Sequence, residues 1–198
     1  MAVEFPLSIS ARHLHLSEEH LKTLFGPGHR LHPVKPLSQP GQFSSEETVS
    51  VSGPKGTFPK VRVLGPTRRQ TQVEISRSDA FVLGVDPPVR DSGDLSGSPG
   101  VRLAGPCGEV ELTEGCIVAQ RHLHLQSAEA GELGLKDRDH ISVRVGGTGS
   151  RALVLEHVLV RVADNFAMDL HLDTDEANAA GIHNGDRGVW IRGGGQQG

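Results

Sequence analysis

Tyrosine is absent from this 198-residue chain, tryptophan occurs once, and aromatic residues make up only 4% of the whole. That leaves little stacking surface for single-stranded nucleic acid. Excess positive charge is missing too: 20 basic against 24 acidic residues give a net charge of -4. No global basic field draws nucleic acid or anionic lipid, so any anion site must be built locally. No apolar run approaches the roughly 18–20 residues that cross a bilayer, and no basic segment followed by an apolar core opens the chain, which reads as cytoplasmic. The two cysteines, Cys107 and Cys116, are too few for a disulfide framework and lack zinc-ribbon spacing, so they read as free thiols. A Gly-x-Ser-x-Gly elbow is also lacking. Gly53-Pro54-Lys55-Gly56 and Gly105-Pro106-Cys107-Gly108 lack the Gly-Lys-Ser/Thr ending of a phosphate loop and read as hairpin turns.

What the chain has in quantity is glycine (25) and proline (12), and these punctuate short Val- and Ile-rich runs at 48–52, 60–64, 72–75, 108–112, 140–145 and 152–162. Short strands between close-spaced turns predict a mainly β architecture of barrel or sandwich type with few helices. Residues 27–43 and 87–100 read as irregular excursions, and 193–198 as a disordered tail.

Histidine carries the chemistry. Arg12-His13-Leu14-His15-Leu16 recurs as Arg121-His122-Leu123-His124-Leu125, and Leu170-His171-Leu172 is a shorter echo. On a strand, imidazoles at i and i+2 share a face. Each copy continues into a polar residue and a glutamate-bearing helical segment, with Ser17 and Asp173 as candidate N-caps. The last two copies also share a turn, at Gly134-Leu135-Lys136-Asp137 and Gly181-Ile182-His183-Asn184. The unit predicted is strand, histidine at the strand end, helix, tight turn. Two histidine pairs flanked by arginine look like two halves of one metal site with an anion beside it, and His171 supplies a fifth imidazole. A catalytic zinc has three protein ligands and an open position, so two sets need one more ligand. Glu74 is a candidate: strand alternation would put Arg68, Gln70, Gln72 and Glu74 on one face. Taken alone, that pattern is better read as a solvent-facing strand with an Arg–Glu pair. His20, His29, His32, His140, His157 and His183 lack a paired spacing and read as surface or supporting groups.

Several blocks in one order resemble the PduL-type phosphate acyltransferases (phosphotransacylases, or phosphate propanoyltransferases). They are Ser10-Ala11-Arg12-His13-Leu14-His15-Leu16-Ser17, Leu37-Ser38-Gln39-Pro40-Gly41-Gln42-Phe43, Leu64-Gly65-Pro66-Thr67-Arg68-Arg69-Gln70-Thr71-Gln72-Val73-Glu74, Pro88-Val89-Arg90-Asp91-Ser92-Gly93-Asp94, Ala119-Gln120-Arg121-His122-Leu123-His124 and Asp173-Thr174-Asp175-Glu176-Ala177-Asn178. The resemblance implies two interleaved β-barrels capped by short helices: residues 1–11 plus 120–192 as the first, and 12–119 as the second, with 27–43 an inserted flap.

It further implies a dizinc enzyme that moves a short acyl group, propanoyl or acetyl, reversibly between coenzyme A and orthophosphate. Carried over by position, His13, His15 and Glu74 would hold one zinc, and His122, His124 and His171 the other. Arg68 matches the family's phosphate-binding arginine, and Gln72 and, in the flap, Gln39 are candidate substrate-binding residues. Acyl-CoA, CoA and phosphate are the expected partners, nucleic acid and membrane are not, and a homodimer or higher homo-oligomer is expected. The family is associated with propanediol degradation in bacterial microcompartments, whose targeted members carry an amphipathic N-terminal extension. Met1-Ala2-Val3-Glu4-Phe5-Pro6-Leu7 cannot make such a helix, so the expected location is the cytoplasm, with the microcompartment lumen the alternative. Two rival readings use the same residues: a metallohydrolase, and a scaffold with structural zinc.

Overall fold

A computed structural model describes residues 2–192; the tail expected at 193–198 lies outside them. In chain order its elements are β1 (Glu4–Ser10), β2 (His13–His15), α1 (Glu18–Phe25), β3 (Pro33–Pro36), β4 (Phe43–Ser52), β5 (Thr57–Gly65), β6 (Gln72–Glu74), α2 (Arg77–Leu83), β7 (Val89–Arg90), β8 (Arg102–Ala104), β9 (Glu109–Glu111), β10 (Cys116–Ala119), β11 (His122–Leu125), α3 (Ser127–Leu133), β12 (His140–Val145), β13 (Leu153–Val162), β14 (Asp169–Asp173), α4 (Thr174–Ala180) and β15 (Arg187–Ile191). The fold is mainly β with four short helices, as the spacing of turns predicted. Among the described residues no helix is long and apolar enough to cross a membrane.

The chain divides into two compact units. One comprises residues 2–10, 38–40 and 120–192, and the other Ala11–Leu37 and Gly41–Ala119. The first is a closed barrel in the order β1-β14-β11-β13-β12-β15, sealed by antiparallel pairing of β15 with β1. Closure leaves no open sheet edge. Phe5, Leu7, Leu123, Leu125, Val143, Val160 and Leu170 fill its interior. The second is a curled half-barrel, a nine-stranded sheet ordered β7-β10-β6-β2-β5-β4-β8-β9 with β3 added against β4. Leu14, Leu16, Val51, Val63, Val73 and Leu103 pack its core.

The threefold repeat is one local structure made three times. Strands β2, β11 and β14 each run within two residues into a helix, capped by Ser17, Gln126 and Asp173 respectively. The Ser17 and Asp173 side chains accept backbone N–H donors from His20 (3.2 Å) and Glu176 (2.8 Å), and Glu129 reaches back to the Gln126 N–H at 2.8 Å. These bonds satisfy donors that have no partner within the first helical turn. At the far end of α3 and α4, Gly134 (φ 70°) and Gly181 (φ 64°) turn left-handed, a conformation that a side chain makes costly. Such a junction fixes the histidine-bearing strand end at both sides.

Candidate metal centres

The repeated histidines lie on β2 in the half-barrel and on β11 in the barrel. Between each pair, Leu14 or Leu123 is fully buried in its unit's core, so alternation turns both imidazoles to the opposite face. Neighbouring strands decide what meets them. His13 lies opposite Glu74 and His15 opposite Gln72 across β2 and β6. His122 lies opposite His171 and His124 opposite Asp169 across β11 and β14. Opposed residues share a face, so strand register alone brings together His13, His15 and Glu74 in one unit and His122, His124 and His171 in the other. Within each trio, one ligand atom per residue lies within 4.8 Å of the others.

Ring orientation follows one plan in both trios. His13 Nδ1 is 2.8 Å from the Ala11 carbonyl and His122 Nδ1 2.7 Å from the Gln120 carbonyl. A carbonyl only accepts, so both Nδ1 atoms carry the proton and each Nε2 offers its lone pair. The second histidines reverse this: Nδ1 of His15 and of His124 is buried without a hydrogen bond, while the Leu64 carbonyl engages the other side of His15. Among the described residues, the other buried side-chain N and O atoms without a well-formed hydrogen bond are His171 Nε2 and Asp169 Oδ2, which face each other at 3.1 Å. Each of the two Nδ1 atoms costs about 1–3 kcal/mol if nothing binds it. Their concentration in the two clusters fits a cation.

The His13–Glu74 distance fits as well: His13 Nε2 is 3.4 Å from Glu74 Oε2. Zinc bonds of about 2.0–2.2 Å in tetrahedral array set ligand atoms about 3.3 Å apart. Burial pushes the His15 imidazole down to about 3, helped by Arg68 and His13, and the His124 imidazole down to about 2, helped by His122 and His171. Both are therefore neutral at physiological pH, the form that binds metal. Burial opposes charge on His13 and Glu74, yet their mutual attraction prevails. Glu74 stays ionised well below the usual carboxylate range, and His13 is raised. A proton or a metal ion can sit between them.

Around Glu74 a hydrogen-bond web fixes the carboxylate. The Ser92 hydroxyl donates to Glu74 Oε1 (3.1 Å) and accepts from Gln72 Nε2 (2.8 Å) and Arg68 Nη1 (3.0 Å). Gln72 Nε2 also donates to Glu74 Oε1, and the Gly93 N–H donates to Gln72 Oε1 at 2.8 Å. The expected continuous face from Arg68 to Glu74 is corrected here. Strand β6 covers only Gln72–Glu74; the Arg68 N–H bonds to the Leu16 carbonyl at 2.9 Å, next to an isolated bridge between Ser17 and Arg68. Arg68 thus reaches the cluster through Ser92 rather than by alternation, and Gln70 is exposed. Gln39 is buried, with its amide held at both ends by the Ala167 backbone (2.9 and 3.2 Å).

Three features escaped sequence reasoning. Ser92 lies in a loop, and only the block it belongs to signalled it. Asp169, 3% exposed, sits two residues before His171, so alternation could have placed both on one face. Burial works against its charge, but His171 and the Ser38 and Ser8 hydroxyls outweigh that and hold its carboxyl below the ordinary range. Finally, His29 and His32, read from sequence as surface or supporting groups, converge on Glu47.

A family model described as phosphate propanoyltransferase matches residues 6–183. Proteins called phosphate propanoyltransferase are similar along most of the chain. That of Thermotoga maritima is 54% identical over 180 residues, 91% of this chain and 85% of that protein. Those of Rhodopseudomonas palustris and Salmonella typhimurium are 49% and 48% identical, over 91% and 90% of this chain and 79% and 84% of their own.

Proposed function

The chain belongs to the phosphate propanoyltransferase family, and from that premise we propose that it transfers a short acyl group, propanoyl or acetyl, reversibly between coenzyme A and orthophosphate. His13, His15 and Glu74 hold one zinc ion, and His122, His124 and His171 a second. The observation that carries this reading is the Ser92-centred web, which ties a guanidinium, Arg68, to a ligand-like trio with an orphaned ring nitrogen. An anion-binding group beside a three-ligand set is what a phosphate nucleophile needs.

Bound zinc would supply Lewis acidity toward the carbonyl or phosphate oxygens and a soft partner for a departing thiolate. The chain's own residues do the rest. Arg68 binds the phosphate dianion with its guanidinium steadied by Ser92, which makes the encounter with a bound thioester effectively unimolecular. Glu74, kept ionised, and His15, kept neutral, remain ligand-competent throughout. An oxygen of phosphate forms the new C–O bond, the C–S bond breaks, and the electron pair leaves with sulfur as the CoA thiolate. Direct attack suits these residues because neither thiol is placed to carry an acyl group. Cys116 is buried and its thiol is pushed up to about 12 by that burial, and Cys107 sits in the exposed turn between β8 and β9. Gln72 acts on phosphate through Glu74 and Ser92. Gln39, with both ends of its amide engaged, acts by holding its segment. Assembly as a homo-oligomer remains part of this proposal.

Purified protein given propanoyl-CoA, with and without phosphate, tests the reading by release of free thiol. Phosphate-dependent release with acyl phosphate formed supports it. Release indifferent to phosphate would instead mean a hydrolase, and no release at any metal loading would remove the enzyme reading.

A further inference from the structure

We propose that His29, His32 and Glu47 form an additional divalent-metal site that takes a zinc-class transition-metal ion and ties the segment after α1 to strand β4. The inference is independent of the acyl-transfer reading, because none of the three residues belongs to the clusters described above.

The site is assembled from two pieces of the half-barrel. After α1 ends at Phe25, the chain runs through residues 26–32 into β3, while Glu47 points inward from the middle of β4. Its carboxylate is 6% exposed. One oxygen, Oε1, lies 2.9 Å from His29 Nε2 and 2.7 Å from His32 Nδ1. The other, Oε2, accepts the His32 backbone N–H at 3.1 Å, and the Glu46 N–H bonds to the His32 carbonyl at 2.9 Å. The backbone therefore fixes His32 against β4 and turns one carboxylate oxygen toward both rings. His29 is held in its turn by stacking on Phe25, with centroids 5.0 Å apart and 21° between the planes. The two imidazoles meet edge to face at 5.3 Å.

Two imidazoles and one carboxylate make a three-ligand set suited to zinc or a close relative. Calcium and magnesium prefer oxygen ligands and find only one carboxylate here. Glu47 already exists as the anion such a site requires. Burial opposes its charge, but hydrogen bonds from His32 and His29 outweigh that and hold the carboxyl at about 2. Ligand atoms around a tetrahedral zinc stand about 3.3 Å apart, so the rings must withdraw by roughly half an ångström. His32 has room for this, since its side chain is 62% exposed, and that exposure also leaves a coordination position for water; His29 is 25% exposed. Metal binding replaces two N–H···O bonds with two N–metal bonds. It leaves each neutral ring protonated on its other nitrogen.

The test is a titration of chelator-stripped protein with Zn2+, followed through the histidine ring signals by NMR. The His29 and His32 signals are expected to shift as a group at a saturable stoichiometry of one ion, whatever the other histidines do. Ring signals unmoved by several equivalents of Zn2+ would overturn the site, without bearing on the two clusters. The double variant H29N/H32N should bind one equivalent less in an equilibrium count while keeping its acyl-transfer rate, its thermal transition falling with the loss of the two hydrogen bonds to Glu47. An unchanged count in that variant would equally overturn the proposal. Should the variant fail to fold, the wild-type ring signals still decide.

Discussion

The barrel and the half-barrel each carry a histidine cluster made from the same strand motif, and the two differ at the positions opposite it. In the half-barrel those positions hold Glu74 and Gln72, and in the barrel His171 and Asp169. Each cluster therefore contains one carboxylate, but at exchanged registers. Opposite the first histidine, the half-barrel offers a carboxylate oxygen and the barrel a third nitrogen. Opposite the second, the half-barrel has a neutral amide and the barrel an acid. The formal charge on the two sites is the same while the donor set changes. In the half-barrel, Glu74 is wired through Ser92 to Arg68, the guanidinium proposed above to bind phosphate. In the barrel, Asp169 instead faces His171 Nε2 at 3.1 Å and is itself held by Ser8 and Ser38. One strand motif thus carries two different donor sets, decided by the two residues that face it.

The most damaging way to break this comparison is to remove the third ligand on either side. Glu74→Gln and His171→Ala should each lose the metal of one cluster only, weakening its binding by more than the about 10–100-fold that loss of an outer-shell partner produces. Metal analysis of each purified variant checks this, and loss of both ions from either variant would show the clusters are not independent. Arg68→Ala should break the functional half of the contrast. It should lower kcat/KM for phosphate by about 10²–10³ with metal content intact, the scale of losing one charge-stabilising donor. Steady-state kinetics with varied phosphate, beside a zinc count, separates the two effects.

Much of this contrast was legible in the sequence. The Arg-His-Leu-His-Leu repeat exposed the strand face, the polar residue after it exposed the helix caps, and Gly134 and Gly181 marked the helix ends. Cross-strand partners were not legible, because period-two alternation says which face a residue takes and nothing about which strand lies beside it. Glu74 therefore stayed ambiguous until the β2–β6 register paired it with His13. Alternation misplaced Arg68: its strand stops short, and it meets Glu74 through the loop residue Ser92. Asp169 was not legible because a lone acid carries no paired spacing of its own. His29 and His32 read as surface or supporting groups because their partner, Glu47, is 15 or more residues away, on β4.

Smaller effects sharpen the picture. Asp169→Asn removes the carboxylate that faces His171 Nε2; it should weaken retention of the barrel metal and leave the half-barrel metal unaffected in chelator competition. Leu14→Ala and Leu123→Ala should each destabilise by about 2–5 kcal/mol, read by denaturant unfolding, because these leucines anchor the histidine strands to their separate cores. The smallest effect concerns Glu47. Its carboxyl is held at about 2 against an ordinary 4.5, so its stabilising contribution is full above the ordinary value and fades as pH falls toward the depressed one. Melting curves of wild type and Glu47→Gln should therefore converge over that acid range, and a gap that widened instead would contradict the sign.

The account rests above all on one ion being held within each unit by the strand motif and the residue opposite it. Anomalous diffraction at the zinc edge from crystals of the zinc-loaded protein tests this most directly. Peaks are expected about 2.0–2.2 Å from His13 Nε2, His15 Nδ1 and Glu74 Oε2, and likewise from His122 Nε2, His124 Nδ1 and His171 Nε2. A peak at only one trio, or at neither, would contradict the claim that the two clusters are matched metal centres.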